Sequence, residues 1–390
     1  MKQLASVALL VWFSAHALVY AQTGMLPMDP QADLPIPGPP AIPADSYILM
    51  DYHSGVTLAE RDPDRPVPPA SITKLMTGYV VYESLARGDI DADDVVTVSK
   101  KAWQMQGSRT FIEVGDQIPL ETLIRGMVIQ SGNDASVALA EHIAGTESAF
   151  AGYMNHYAGL LGLENTHYTN ATGLPDAEHY TTARDIALLT RALIERFPEH
   201  YSRHKEREFE YGGITQKNRN RLLWRDSSVD GVKTGYTEEA GYCLVSSAER
   251  QGMRLIAVVL GADSPEARLD HSMALLNYGF RFFETKRLYA ASEQIERVRV
   301  FKGKGVSELT VGLAEDLWLT FPRGRDQRLQ VEATVDDPLI APLARGAAVG
   351  QLRVTLAQEV LAERPMVALS AVERGGFFGN IGDNIQLLFR

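Results

Sequence analysis

The chain has 390 residues, 45 % of them hydrophobic, enough to bury one large or two medium cores. Its 49 acidic residues against 38 basic give a net charge of −11, and no basic run is interleaved with aromatics, which argues against nucleic acid as a partner. With Cys243 as its only cysteine the chain has no internal disulfide, so stability rests on the cores.

The start, MKQLASVALLVWFSAHALVYAQ, reads as a secretory signal peptide over residues 1–21: it has one lysine, an apolar run too short for a comfortable span, and small residues around Ala21. Residues 22–45 carry Pro27, Pro30, Pro35, Pro37, Pro39, Pro40 and Pro43 among polar and small residues, the composition of a linker. SYILMDYHSGVTLAERD predicts two short strands around a turn at His53 to Gly55. PPASITKLMTGYVVYESLARG follows, with Ser71 and Lys74 three positions apart at the first turn of a helix.

Helical spacing recurs over 121–130, 134–144, 147–161 and 182–197, as in Ile186, Leu189, Leu193 and Phe197. GYCLVSSAE and MRLIAVVLGAD read as strands joined by a turn from Arg250 to Gly252, and Ser264 with Pro265 opens a helix reaching Phe283. From about Leu288 the texture becomes alternating strands such as IERVRVF, LWLTFP, LQVEATV and GQLRVTL. The expected division is a first domain over 46–287 and a β-rich domain over 288–373. In the last segment, 374–390, Phe377, Phe378, Ile381, Ile385, Leu388 and Phe389 gather on one helical face, opposite Asp383, Gln386 and Arg390. At about 21 Å such a helix is too short to cross a bilayer, so it is expected to lie in the membrane interface.

A serine hydroxyl is a poor nucleophile until its proton is removed, and an amine can remove it only when neutral and within hydrogen-bond reach. Positions i and i+3 of a helix meet that need, as Ser71 and Lys74 do, but one Ser-x-x-Lys match arises by chance in a chain of this length. Further motifs change the weight. QSGNDAS puts Ser131 and Asn133 on a turn between two helices, and VDGVKTGYTEEAGYCLV puts Lys233, Thr234 and Gly235 at the start of a β-rich region. The bare Gly235 is expected to let a substrate lie along that strand. Ser-x-x-Lys, Ser-x-Asn and Lys-Thr-Gly together form the signature of class A β-lactamases and penicillin-binding proteins.

On these residues, and on LIRGMVIQSGNDAS, LGLENTHYTNATGL, YTTARDIALL, GFRFFET and the β-rich end, the chain resembles the D-alanyl-D-alanine carboxypeptidases among the low-molecular-weight penicillin-binding proteins. The resemblance implies an α+β fold of the penicillin-binding/β-lactamase-like type, an antiparallel sheet flanked by helices with a helical lobe across a cleft, followed by a small β-sandwich. It implies Ser71 as the acylated nucleophile, Lys74 as its base, Ser131 as proton relay to the leaving D-alanine and Asn133 as a substrate-backbone contact. Lys233 and Thr234 would face the terminal carboxylate, and the backbone N–H groups of Ser71 and Tyr236 would form the oxyanion hole. A second ammonium is expected to lower the pKa of Lys74.

Relatives often carry His after Lys-Thr-Gly; Tyr236, counted among the substrate-binding residues, preserves the backbone role, and the swap leaves the side chain's part open. Arg268, in SPEARLDHS, is a further candidate for gripping a carboxylate through paired hydrogen bonds. The implied reaction removes the last D-alanine from peptidoglycan stem peptides through an acyl-enzyme, with β-lactams acylating the same serine. The implied location is the periplasmic face of the inner membrane, peripheral and held by the tail. No metal or cofactor is called for, since the nine His include no pair at helical ligand spacing with an adjacent acid. Two rival readings are a true β-lactamase and a wall-binding scaffold with a vestigial site; the intact motifs argue against the second.

Overall fold

A computed structural model describes residues 35–376 and 381–388. The expected signal peptide, the first part of the expected linker, and residues 377–380, 389 and 390 of the expected tail lie outside the described residues. The end of the expected linker is packed: Ile42 and Ala44 are buried, and Asp45 N donates to Leu260 O over 3.0 Å.

The central sheet is antiparallel and uses β1 (Ser46–Asp51), β2 (Thr57–Arg61), β3 (Val229–Thr237), β4 (Gly241–Arg250) and β5 (Met253–Ala262), in the order β2-β1-β5-β4-β3. The apolar run from Leu255 to Leu260 is buried throughout, as a strand covered on both faces must be. The main helices are α1 (Lys74–Arg87), α2 (Leu120–Arg125), α3 (Asn133–Ala144), α4 (Glu147–Leu160), α5 (Ala183–Arg196) and α6 (Pro265–Phe282). On one face Ile48, Met50, Ile256 and Val258 share a core with Leu75, Met76 and Tyr79 of α1 and Ile186 and Leu189 of α5. On the other, α6 lies so close that a Cβ at Gly279 would come within 2.5 Å of Leu255 Cδ1 and 3.0 Å of Leu49 Cδ2. Thr146, Thr182 and Ser264 cap α4, α5 and α6 with their hydroxyls, which satisfies amides that the first turn leaves unpaired.

The segment expected as one helix over 121–130 changes pitch: α2 ends at Arg125, and Gly126–Gln130 form a π-helical turn. That wider turn ends in Ser131 with φ 68° and ψ 34°, a left-handed backbone unusual outside glycine, before α3 begins at Asn133.

α6 runs directly into β6 (Phe283–Tyr289), which pairs with β9 (Leu317–Pro322) from Phe283 opposite Pro322 to Tyr289 opposite Leu317. The boundary expected at 287 therefore falls inside a strand, because the strand that follows α6 has its partner in the β-rich region. The remaining strands are β7 (Glu296–Phe301), β8 (Glu308–Gly312), β10 (Leu329–Val335), β11 (Leu339–Ile340), β12 (Ala348–Leu356) and β13 (Glu359–Ala368), in one sheet ordered β10-β12-β13-β8-β7-β11. Val311, Leu319, Phe321, Val354 and Met366 fill a core between this sheet and the β6/β9 pair.

Polar side chains close the junction between the two parts. The buried Asp51 carboxylate accepts from Ser54 N (2.8 Å), Ser54 Oγ (2.9 Å) and Thr285 Oγ1 (2.6 Å). Thr320 Oγ1 lies 2.6 Å from Ser54 Oγ and 2.8 Å from Thr285 Oγ1, and the His53 ring stacks on Trp318 at 4.0 Å. Helix α7 (Ile381–Leu388) is tied to the β-rich part by Asp383, which accepts from Lys302 N over 2.5 Å. No helix among the described residues is long and apolar enough to cross a membrane.

Candidate active site

Ser71 sits in a 3₁₀ turn, Ala70–Thr73, that leads into α1, so the i, i+3 relation to Lys74 spans the join of two helix types. Lys74 is 3 % exposed, and its Nζ donates to Ser71 Oγ over 3.2 Å, to Asn133 Oδ1 over 2.7 Å and to Thr172 O over 2.6 Å. Three oxygens thus hold the amine pointing at the serine. Burial lowers its pKa to about 7, against the opposing fields of Asp134 and Glu147. The expected cause, a second ammonium, is not what depresses Lys74; removal from water is.

The carbonyl of Thr172 is placed by a tight turn. Asn170 Oδ1 accepts from Thr172 N (3.1 Å), Thr172 Oγ1 (2.9 Å) and Gly173 N (2.8 Å), and Thr77 Oγ1 donates to Ala171 O over 2.7 Å. Gly173 has φ +84°, and a Cβ there would collide with the Ala70 carbonyl beside Ser71.

Ser131 and Asn133 enter from the helical lobe. Asn133 Nδ2 donates to Gln106 O over 2.6 Å while its Oδ1 receives Lys74. The next residue, the fully buried Asp134, accepts from Thr110 N and Phe111 N at 2.8 Å each, which clamps the loop carrying Gly107 and Ser108.

β3 is the sheet's terminal strand and lines the opposite wall. Lys233 Nζ donates to Ser131 Oγ over 2.8 Å and to Thr234 O over 3.3 Å. Burial lowers its pKa well below the ordinary value, and the charges of Lys74, Arg219 and Arg268 add to that. The expectation for Gly235 needs correcting: its missing side chain points toward the Ser71 turn. A Cβ there would lie 3.1 Å from Ile72 Cγ1 and Pro69 O and 3.2 Å from Ala70 Cβ, so the glycine lets the turn pack against the strand. Tyr236, 51 % exposed, stacks on Tyr242 with ring centroids 4.4 Å apart.

These walls enclose a cleft of about 460 Å³ lined by Ser71, Ser131, Asn133, Thr234, Tyr236 and Arg268 among others. Arg268 is half-buried and donates from Nη1 to Gly235 O (3.1 Å) and Cys243 O (3.3 Å); its Nε has no partner among the described residues. Arg219, which sequence motifs do not mark, lines the same cleft. Its only signal is its place in a basic stretch, Lys217 to Arg221, that periodicity leaves unassigned.

A family model described as D-alanyl-D-alanine carboxypeptidase matches residues 34–264, and one for the C-terminal domain of penicillin-binding protein 5 matches residues 283–374. The D-alanyl-D-alanine carboxypeptidase DacC of Escherichia coli (strain K12) is 44 % identical over 358 residues, covering 90 % of this chain and 89 % of that one. DacA of the same strain is 43 % identical over 362 residues, covering 91 % and 90 %. Among solved structures, penicillin binding protein 5 from Haemophilus influenzae superposes with TM-score 0.84 at 39 % identity, covering 87 % of this chain and all of that one.

The chain belongs to the D-alanyl-D-alanine carboxypeptidase family. It is accordingly a serine hydrolase of cell-wall chemistry, and its two-part α+β fold is that of the penicillin-binding proteins. Within this carboxypeptidase Arg268 falls between the two matched segments, on α6.

Proposed function

We propose that Ser71 is the nucleophile and that its attack releases the terminal D-alanine of a peptidoglycan stem peptide. The observation that carries this reading is the Lys74 amine, hydrogen-bonded to Ser71 Oγ and held near neutrality by burial. Such an amine is a competent base at the pH where it works. Ser71 Oγ attacks the carbonyl carbon of the last peptide bond as Lys74 Nζ takes its proton. The backbone N–H groups of Ser71 and Tyr236 would receive the oxyanion. As the intermediate collapses, the C–N bond breaks, a proton reaches the departing amine through Ser131, and water later cleaves the ester. Two moderate barriers replace one high one.

Substrate orientation follows from charge. Thr234 and Arg268 line the end of the cleft that suits a terminal carboxylate, with Arg219 adding to its field and Lys233 buried beside Ser131. Asn133 and the Gly235 backbone would hold the peptide alongside. β-Lactams, which present an anionic group beside a reactive carbonyl, would acylate the same serine.

The segment 374–390 is read as an interfacial anchor at the periplasmic face of the inner membrane. Its apolar pattern in the sequence supports this. The deciding experiment for the chemistry is intact-protein mass spectrometry after incubation with a penicillin. One added penicillin per chain is expected, with none on Ser71→Ala; labelling that persists in the variant would reject the assignment.

A further inference from the structure

Next to the cleft lies a second cavity of about 630 Å³, and the two share Arg219 and Arg268. Lys217 and Arg221 also line it, against a single carboxylate, Glu266. None of these four cations forms an ion pair among the described residues, although the whole chain carries a net charge of −11. Gln216 lines the cavity too; it is 7 % exposed, and its amide Oε1 and Nε2 are both buried without a hydrogen-bond partner. A buried amide left unsatisfied is costly unless something else meets it. Unneutralised cations and an unsatisfied amide together describe a recess built to receive an anionic, hydrogen-bonding group.

Its position says which part of a substrate would enter. Gln130, on its wall, immediately precedes Ser131, and the arginines it shares with the cleft stand at the end assigned above to the terminal carboxylate. We propose that this second cavity receives the side chain of the leaving residue and favours leaving residues that carry a second carboxylate. This rests on the substrate orientation proposed above and extends it from D-alanine to acidic D-amino acids in the leaving position.

The test compares acyl-D-Ala-D-Glu, acyl-D-Ala-D-Lys and acyl-D-Ala-D-Ala as substrates of the full chain. The D-Glu peptide is expected to exceed the D-Lys peptide in kcat/KM by about tenfold or more, the ratio shrinking as ionic strength rises. In the double variant Lys217→Gln, Arg221→Gln the ratio should fall to about twofold or less, with D-Ala-D-Ala cleaved at the parental rate and the thermal melt unchanged. Equal rates for the acidic and basic leaving groups in the parent, beside normal cleavage of D-Ala-D-Ala, would overturn the proposal and leave the Ser71 chemistry standing. A ratio that survives the double variant would also overturn it. No cleavage of any peptide together with no penicillin labelling would remove the underlying reading, and this one with it. The comparison on the parent chain needs no substitution, so misfolding of the variant cannot mask the outcome.

Discussion

The Nζ of Lys233 donates to the Ser131 hydroxyl over 2.8 Å, and no carboxylate among the described residues pairs with it. Lys74, by contrast, spends its hydrogen bonds on three oxygens that orient it toward Ser71. The two buried lysines are therefore set up for different work. Lys74→Arg keeps the charge and removes the base, since guanidinium does not deprotonate near neutral pH. Acylation by penicillin should fall below detection in that variant, while Lys233→Arg should lose on the order of 10–100-fold, the scale of a displaced anion contact. Equal losses would contradict the division.

The pH profile follows from the Lys74 amine. Its pKa is lowered to about 7, so half the amines are neutral there. The acylation rate constant should rise about tenfold per pH unit below 7 and level off above it. Stopped-flow acylation with a fluorescent penicillin between pH 5 and 9 measures this, and a flat profile would rule out Lys74 as base.

Gly173→Ala and Gly235→Ala probe the seat of Ser71. A Cβ at either position presses on the turn Ala70–Thr73, with Gly173 the more severe because its φ of +84° adds backbone strain to a collision with the Ala70 carbonyl. Gly235→Ala should fold and lose about 10–100-fold in acylation, the penalty of a nucleophile displaced by less than about 1 Å. Gly173→Ala should also lower the melting midpoint.

What the sequence made legible was whatever local rules govern. The paired Ser and Lys, the run from Leu255 to Leu260 and the helix opened by Ser264 and Pro265 each declare their element through spacing, burial pattern or cap. What it concealed depends on chain segments meeting from far apart. The grip of Thr172 O on Lys74 joins residues 98 positions apart, and nothing in either segment announces it. The direction of the bare face of Gly235, the burial that tunes Lys74 and the presence of Arg219 in the cleft are likewise tertiary facts. The β6 boundary was hidden because Phe283 to Tyr289 take their partner from Leu317 to Pro322, beyond two intervening strands.

His179 and His204 are both 3 % exposed, and burial lowers each to a pKa of about 4. His179 Nε2 lies 2.8 Å from Thr73 Oγ1, and His204 Nδ1 lies 3.0 Å from Val232 O. Since the folded pKa lies below the unfolded value of about 6.5, the unfolded chain binds more protons between those limits. Stability fully present above pH 6.5 is lost as pH falls toward 4, by up to about 3 kcal/mol per histidine. Urea midpoints taken from pH 7 to 4 should show this decline, and His179→Gln should flatten part of it.

Deleting residues 377–390 should move the protein from membrane to soluble fractions and leave penicillin acylation unchanged. High salt alone should not release the full chain, because Arg374 and Arg390 are the only bases of the tail and apolar burial would dominate its affinity. A truncated protein that still sediments with membranes would place the anchor elsewhere.

Phe282 ends a helix and Phe283 begins a strand with no residue between them, and Asp51, Thr285, Thr320 and the His53–Trp318 stack bolt the neighbouring surfaces together. Moored through its tail, the β-rich part would fix the reach and bearing of the cleft, so the enzyme would sweep a shell of constant radius above its anchorage. Wall strands inside that shell would be trimmed, and strands outside it would be spared whatever their chemistry.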